Sequence, residues 1–266
     1  MFLGSMVGTG AYMRIWESGW IEVTRRSLPI APDLEPIRIL HLSDLHASRV
    51  VSLGYLERAF EIGLEHKPDL ICLTGDFITW KYNRFEDYAD ALRSLSDAAP
   101  TFACLGNHDG GTWAGRSLGY SSSEQVRSLL DQSGVQLLHN RMKKIRIGNR
   151  TIEMTGLGDI WNHECEPDKV LNEAIGEGAT RIVLSHNPDS KERLLDFRWD
   201  LMLSGHTHGG QLYLPGIGAP FAPVRDKRYV RGLHKIQDRW LNITKGVGNL
   251  HGVRLNCRPE ISILEV

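Results

Sequence analysis

The sequence predicts a single α/β domain, and three observations carry that prediction. From Pro36 onward, short apolar runs rich in Ile, Val and Leu alternate with stretches of helical periodicity. The chain has 266 residues, 41% hydrophobic and 24% charged, which is enough to bury a core without disulfide or metal staples and unlike a disordered or fibrous chain. No internal repeat, low-complexity tract or linker rich in Pro, Gly and Ser divides it. The expected organisation is an amino-terminal arm over residues 1–35 and one domain over residues 36–266.

Taken in order, Ile37–Leu42 reads as the first strand of that domain, followed by Asp69–Leu73, Thr101–Leu105, Arg181–Leu184 and Leu201–Leu203. Each is short, apolar and bounded by Gly, Asn or Ser, as buried strands are. Helices are expected over Leu53–His66, Phe85–Leu95, Glu124–Gln132 and Asp168–Ile175. Ser122 with Gln125 three residues on has the spacing of a capping box for the third. Lys143–Ile147 and Thr151–Met154 flank Gly148-Asn149 and read as a hairpin. From about Tyr229 the chain is strand-like to its end, most clearly over Trp240–Ile243 and Glu260–Leu264.

The arm opens with Met1–Met13, uncharged and Gly-rich, and shorter than the roughly 20 apolar residues a membrane span needs. No Lys or Arg precedes it, so the basic region of a secretory signal is missing. Tyr12, Arg14, Trp16, Trp20, Arg25 and Arg26 follow, and aromatics beside arginine suit a membrane interface. Two readings fit: aromatics packed on the domain, or a contact with a membrane surface. The four cysteines, Cys72, Cys104, Cys165 and Cys257, form no C-x-x-C pair, and free buried thiols in a reducing compartment are expected. With 31 Lys+Arg against 32 Asp+Glu and a net charge of −1, a broad nucleic-acid-binding face is not expected. Oligomeric state is not legible.

Function is legible in the loops. The five apolar strands are each followed by residues that bind metals: Asp44 and His46, then Gly75-Asp76, then Gly106-Asn107-His108-Asp109, then His186, then Gly205-His206-Thr207-His208. Five of the eleven histidines fall in these loops. Sites in open α/β sheets collect beyond the carboxyl ends of strands, so the five loops should converge. The donor set is oxygen and nitrogen with no thiolate, which suits Mn, with Fe, Zn or Mg as alternatives. Asp-x-His and His-x-His would point alternate side chains one way from an extended segment. Asp76 has two oxygens and can bridge two ions about 3.5–4 Å apart. One ion would then take Asp44, His46, Asp76 and His208, and the other Asp76, Asn107, His186 and His206. With a bridging hydroxide as nucleophile, such a centre keeps a residual positive charge and suits a phosphate ester. His108 could protonate the departing oxygen or hold charge on the phosphoryl group, with Asp109 bonding its ring. His41, one step inside its strand, stays open between local packing and contact with substrate, while His163, His251 and Arg254 are candidates for the rim. His66, His139 and His234 read as ordinary core or surface groups.

In these motifs, D-x-H, G-D, G-N-H-D, H and G-H-x-H in that order, the sequence resembles the calcineurin-like metallophosphoesterase superfamily from Ile37 to the carboxyl end. The resemblance implies a four-layer αββα sandwich of two packed mixed sheets flanked by helices, a dinuclear centre and phosphoester hydrolysis by metal-activated water. The runs Gly205–Gln211, Ser185–Asp189 and Arg258-Pro259-Glu260 resemble a bacterial branch of membrane-associated phosphodiesterases. That branch includes an alternative UDP-2,3-diacylglucosamine pyrophosphatase of lipid A synthesis. The common lipid A hydrolase has Arg where His108 stands, and protein Ser/Thr phosphatases usually have Glu in place of Asp109. The expected activity is therefore cleavage of a lipid-linked nucleotide such as UDP-2,3-diacylglucosamine to UMP and a lipid monophosphate, in the cytoplasm on the inner face of the membrane. Apolar Leu212–Pro215 and Phe221 beside Arg225, Lys227 and Arg228 fit a lipid, or form an ordinary packed loop. Two other readings stay open: a broad phosphodiesterase acting on small esters, cyclic nucleotides or cell-wall polymers, and a non-catalytic scaffold.

Overall fold

A computed structural model describes residues 12–266. Most of the apolar Met1–Met13 segment lies outside them. The first of two six-stranded sheets contains β1 (Glu22–Ser27), β2 (Arg38–Leu42), β3 (Leu70–Thr74), β4 (Thr101–Cys104), β5 (Gln136–Leu137) and the carboxyl-terminal β12 (Glu260–Glu265), in the order β1-β12-β2-β3-β4-β5. The second contains β6 (Arg141–Ile147), β7 (Arg150–Gly156), β8 (Ala179–Leu184), β9 (Leu201–Ser204), β10 (Gly232–Ile236) and β11 (Arg239–Ile243), in the order β10-β11-β9-β8-β7-β6. Both are mixed: β2 to β5 run parallel, as do β7, β8, β9 and β11, while β12–β2, β6–β7 and β10–β11 are antiparallel.

Alternation along the buried strands decides the layering. Ile39, Leu70, Cys72, Phe102 and Cys104 of the first sheet meet Ile152, Met154, Ile182, Leu184, Leu201 and Leu203 of the second in the central core. Leu40, Leu42, Ile71, Leu73 and Ala103 point the other way, onto the helices α1 (Leu53–Leu64), α2 (Phe85–Ala98) and, after the five-residue α3 (Thr112–Arg116), α4 (Glu124–Gln132). The outer face of the second sheet, with Val183, Met202, Leu241 and Ile243, is covered by Leu157, Leu171, Leu194 and Trp199. These come from 3-10 turns and irregular chain, so the fourth layer contains no long helix among the described residues.

Three local expectations are corrected. The helix over Asp168–Ile175 is only a 3-10 turn, Pro167–Lys169, because Leu171 alone in that stretch is buried and no apolar stripe holds a helix down. The capping box does not form: α4 starts at Glu124 after Ser123, and Ser122 Oγ accepts from Glu124 N at 3.2 Å instead. Residues 12–35, read as an arm, carry the edge strand β1, which pairs in parallel with β12. Its sequence, EVTRRS, is too polar to signal a strand. The four cysteines are free and buried, as expected.

Candidate metal centre

Strands β2, β3 and β4 are parallel neighbours in one sheet, and β8 and β9 in the other, so their carboxyl ends open at one edge of the sandwich. The loop tips converge there. Ligand atoms of Asp44, His46, Asp76 and His208 all lie within 4.8 Å of one another, as do those of Asp76, His186 and His206. Asp76 belongs to both groups: its Oδ2 is 3.5 Å from His46 Nε2 and 3.2 Å from His186 Nε2. Asn107 lines the same cavity, its Oδ1 buried without a hydrogen-bond partner.

The backbone reaches this arrangement differently from the extended geometry expected. Asp44, His46, Asp76, His206 and His208 all have positive φ, between 50° and 68°. A non-glycine residue there costs roughly 1–2 kcal/mol, and such strain concentrates where structure is fixed for function. The abrupt turns let short loops aim several side chains inward. Close approach also demands glycine: a Cβ at Gly205 would overlap Ser43 Oγ and Asp44 Oδ2.

The donors fit divalent cations. Burial drives His46 down to about 3 and His206 and His208 well below their ordinary value, which keeps these imidazoles in the neutral form that ligates. Burial also opposes charge on His186, yet the Asp76, Asp44 and Asp159 carboxylates push it up to about 10. Buried carboxylates thus draw positive charge into the centre, and a cation held by Asp44 and Asp76 would supply it. When bound, paired divalent ions activate water and hold the attacking and leaving oxygens of a displacement.

Residues 37–210 match the calcineurin-like phosphoesterase family. The chain belongs to that family. It is 46% identical over 257 residues to phosphodiesterase YaeI of Escherichia coli (strain K12), covering 96% of this chain and 92% of that protein. It is 28% identical over 279 residues to the UDP-2,3-diacylglucosamine pyrophosphatase LpxG of Chlamydia trachomatis serovar D, covering 87% and 84%. Among solved structures, NAD nucleotidase (NadN) of Haemophilus influenzae aligns with a TM-score of 0.51 at 13% identity, over 79% of this chain and 50% of that one. This last likeness speaks for the fold alone. As a calcineurin-like phosphoesterase, the chain is a metal-dependent hydrolase of phosphoric esters or pyrophosphates.

In this phosphoesterase further hydrogen bonds orient the side chains that could hold metal. Thr79 Oγ1 is 2.7 Å from His46 Nδ1, and the Thr74 carbonyl is 2.7 Å from His186 Nδ1, so in each ring Nε2 faces the centre. His206 N donates to Asp44 at 3.0 Å, and His108 N donates to Asp76 Oδ1 at 2.9 Å. Such partners fix tautomer and direction, and losing one typically lowers metal affinity about 10–100-fold. Thr79→Val should produce a loss of that size in metal titrations with secondary structure unchanged. An affinity equal to the parent's would show that Thr79 does not orient His46.

His108 lines the cavity, its ring centroid 5.0 Å from that of His46. Asp109 does something other than bond this ring. Its oxygens accept from the backbone amides of Asp76, Phe77 and Gly106 at 2.9, 2.6 and 2.7 Å. The carboxylate therefore pins the loop after β3 to the loop after β4. Burial and the Asp76 charge push it up to about 8, against the pull of these amide donors.

The rim candidates divide. His251 lines the cavity. Arg254 does not: it is fully buried and donates to the carbonyls of Lys245, Gly246, Gly248 and Cys257, a clamp on the carboxyl-terminal chain. His163 lines a different hollow with His139 and Glu164. His41 packs between the sheets, bonded to Thr74 Oγ1 at 2.8 Å and Asn242 Nδ2 at 3.1 Å.

Sequence reasoning overlooked Trp113, Asp159, Trp161 and Asn162, which all stand beside the centre. Asp159 had a signal: it follows β7 as the other acids follow their strands. The tryptophans had none.

Proposed function

We propose that the protein hydrolyses phosphodiesters or pyrophosphate diesters, with UDP-2,3-diacylglucosamine as the first candidate substrate and UMP and a lipid monophosphate as products. The observation that carries this reading is the lining of the cavity. It has a volume of about 420 Å³, and neither Lys nor Arg is among the described residues that line it. A phosphomonoester puts two charges on the reacting phosphate and wants fixed cations beyond a metal pair; a diester or a pyrophosphate diester puts only one on it. The names of YaeI and LpxG, a phosphodiesterase and a UDP-2,3-diacylglucosamine pyrophosphatase, agree with it.

The seven donors Asp44, His46, Asp76, Asn107, His186, His206 and His208 would hold two ions, with Mn²⁺ the first choice for this oxygen and nitrogen set. His108, facing the cavity, would give a proton to the departing oxygen. Asp109 would keep the loops that carry Asp76 and His108 in register.

A peripheral place on the membrane is part of the proposal. No helix among the described residues is long and apolar enough to cross a bilayer. Tyr12, Trp16 and Trp20 are exposed on the amino-terminal segment with Arg14, as interfacial residues are. The Met13 carbonyl accepts from Arg254 N, which tethers that segment behind the loop bearing Leu250 and His251.

The test is UMP release from UDP-2,3-diacylglucosamine presented in anionic vesicles, by Mn²⁺-loaded enzyme, beside bis(4-nitrophenyl) phosphate and 4-nitrophenyl phosphate. The proposal expects UMP release and a strong preference for the diester over the monoester. Robust diester hydrolysis with no UMP would reject the lipid nucleotide and favour a broad phosphodiesterase, and preference for the monoester would reject the diester reading altogether.

A further inference from the structure

The same cavity has a wall that the metal chemistry does not need. Trp113 and Trp161 stand 5.5 Å apart between ring centroids. Trp113 meets the His108 ring at 4.6 Å, and Trp161 meets the ring of the ligand His206 edge-on at 4.3 Å. Leu212, Phe221, Leu250 and Val253 line the same space. Phe221 is 71% exposed.

The two tryptophans are held by a built polar clasp. Asp159 Oδ1 accepts from Trp161 N at 2.8 Å and from Asn162 N at 3.0 Å, which closes a turn under Trp161. Asn162 then reaches across to the loop after His108: its Oδ1 accepts from Trp113 N at 2.9 Å and its Nδ2 donates to Gly110 O at 3.1 Å. Gly111 leaves room for that side chain, since a Cβ there would come within 2.7 Å of Asn162 Oδ1. Asp159 and Asn162 are themselves buried. Two loops from different sheets are thus tied so that both indoles sit at fixed distances from the centre.

We infer that Trp113 and Trp161, positioned by the Asp159–Asn162 turn, form the specificity subsite for an apolar hydrocarbon substituent of the phosphodiester. The inference deepens the diester reading above and rests on it. A hydrocarbon is the occupant that fits: the wall is aromatic and aliphatic, it lines the same cavity as Asp76 and Asn107, and it carries no Lys or Arg. Ligand cavities of about 300–1,000 Å³ take groups of this size and larger. The hydrophilic part of the substrate would then leave toward solvent, on the side away from the indoles.

The test uses a homologous series of n-alkyl 4-nitrophenyl phosphates, methyl to octyl, below their micelle-forming concentrations, with Mn²⁺-loaded full-length enzyme. Burial of each methylene predicts a rise in kcat/KM of roughly two- to fourfold per carbon over the first several carbons. Within one enzyme the octyl-to-methyl ratio cancels any general loss of activity. Trp161→Ala and the rim variant Phe221→Ala should each lower that ratio, the first by about tenfold or more, with metal content at the parental value. Asn162→Ala should lower it too, by freeing the two loops. A flat series in the parent, or a ratio that Trp161→Ala leaves intact, would overturn the inference even if the lipid nucleotide is cleaved. A rising series without UMP release would support the subsite and reject only the nucleotide named above.

Discussion

Asp76→Asn is expected to lower kcat/KM on any diester by about a thousandfold or more. The substitution keeps shape and removes charge. Oδ2 of Asp76 faces His46 on one side and His186 on the other, and Oδ1 accepts the His108 amide. A carboxamide has one acceptor, so it must abandon either the shared position or the amide. Metal-centred charge stabilisation is worth several kcal/mol, and each 1.4 kcal/mol is tenfold in rate, which gives the magnitude. Metal content should fall from two ions per chain to one or fewer while far-UV circular dichroism stays parental. Full activity with two bound ions would remove Asp76 from the bridging role.

His108→Ala is expected to slow turnover by about 10²–10⁴-fold, the usual worth of a general acid, and to leave metal content unchanged. The second half of that expectation comes from the backbone. His108 supports Asp76 through its peptide N–H, and alanine keeps that donor. The ring instead faces the cavity, edge-on to His46 and to Trp113. Proton donation matters most for a poor leaving group, so the loss should be larger for an alkoxide than for 4-nitrophenolate. Equal losses for both would assign His108 to charge stabilisation instead, and loss of one ion would make it a ligand.

Much of this was legible before the structure, for physical reasons that also explain the rest. Strands β2, β3, β4, β8 and β9 are parallel and buried, so they read as unbroken apolar runs, and their ends carry metal-binding residues in short local motifs. Convergence of those ends follows from the α/β rule. Strand β1 was missed because it is an edge strand with a polar sequence held by its partner β12, and β5 because two residues carry no pattern. The helix over Asp168–Ile175 was overread, since charged residues with high helix propensity do not suffice without a buried stripe.

Side-chain direction was the least legible property. Arg254 and His163 are near the site in sequence terms, yet one turns inward onto four carbonyls and the other lies in a separate hollow. Asp109 sits beside His108 in the chain and bonds the backbone of another loop. Trp113 and Trp161, 48 residues apart, meet where Asn162 ties their loops together.

The account rests on two cations sharing one carboxylate. Anomalous scattering from crystals of the Mn²⁺-loaded protein measures that directly. Two peaks about 3.5–4 Å apart are predicted, one on each side of Asp76, the first beside Asp44, His46 and His208 and the second beside Asn107, His186 and His206. A single peak, or a second peak that Asp76 does not touch, would contradict it.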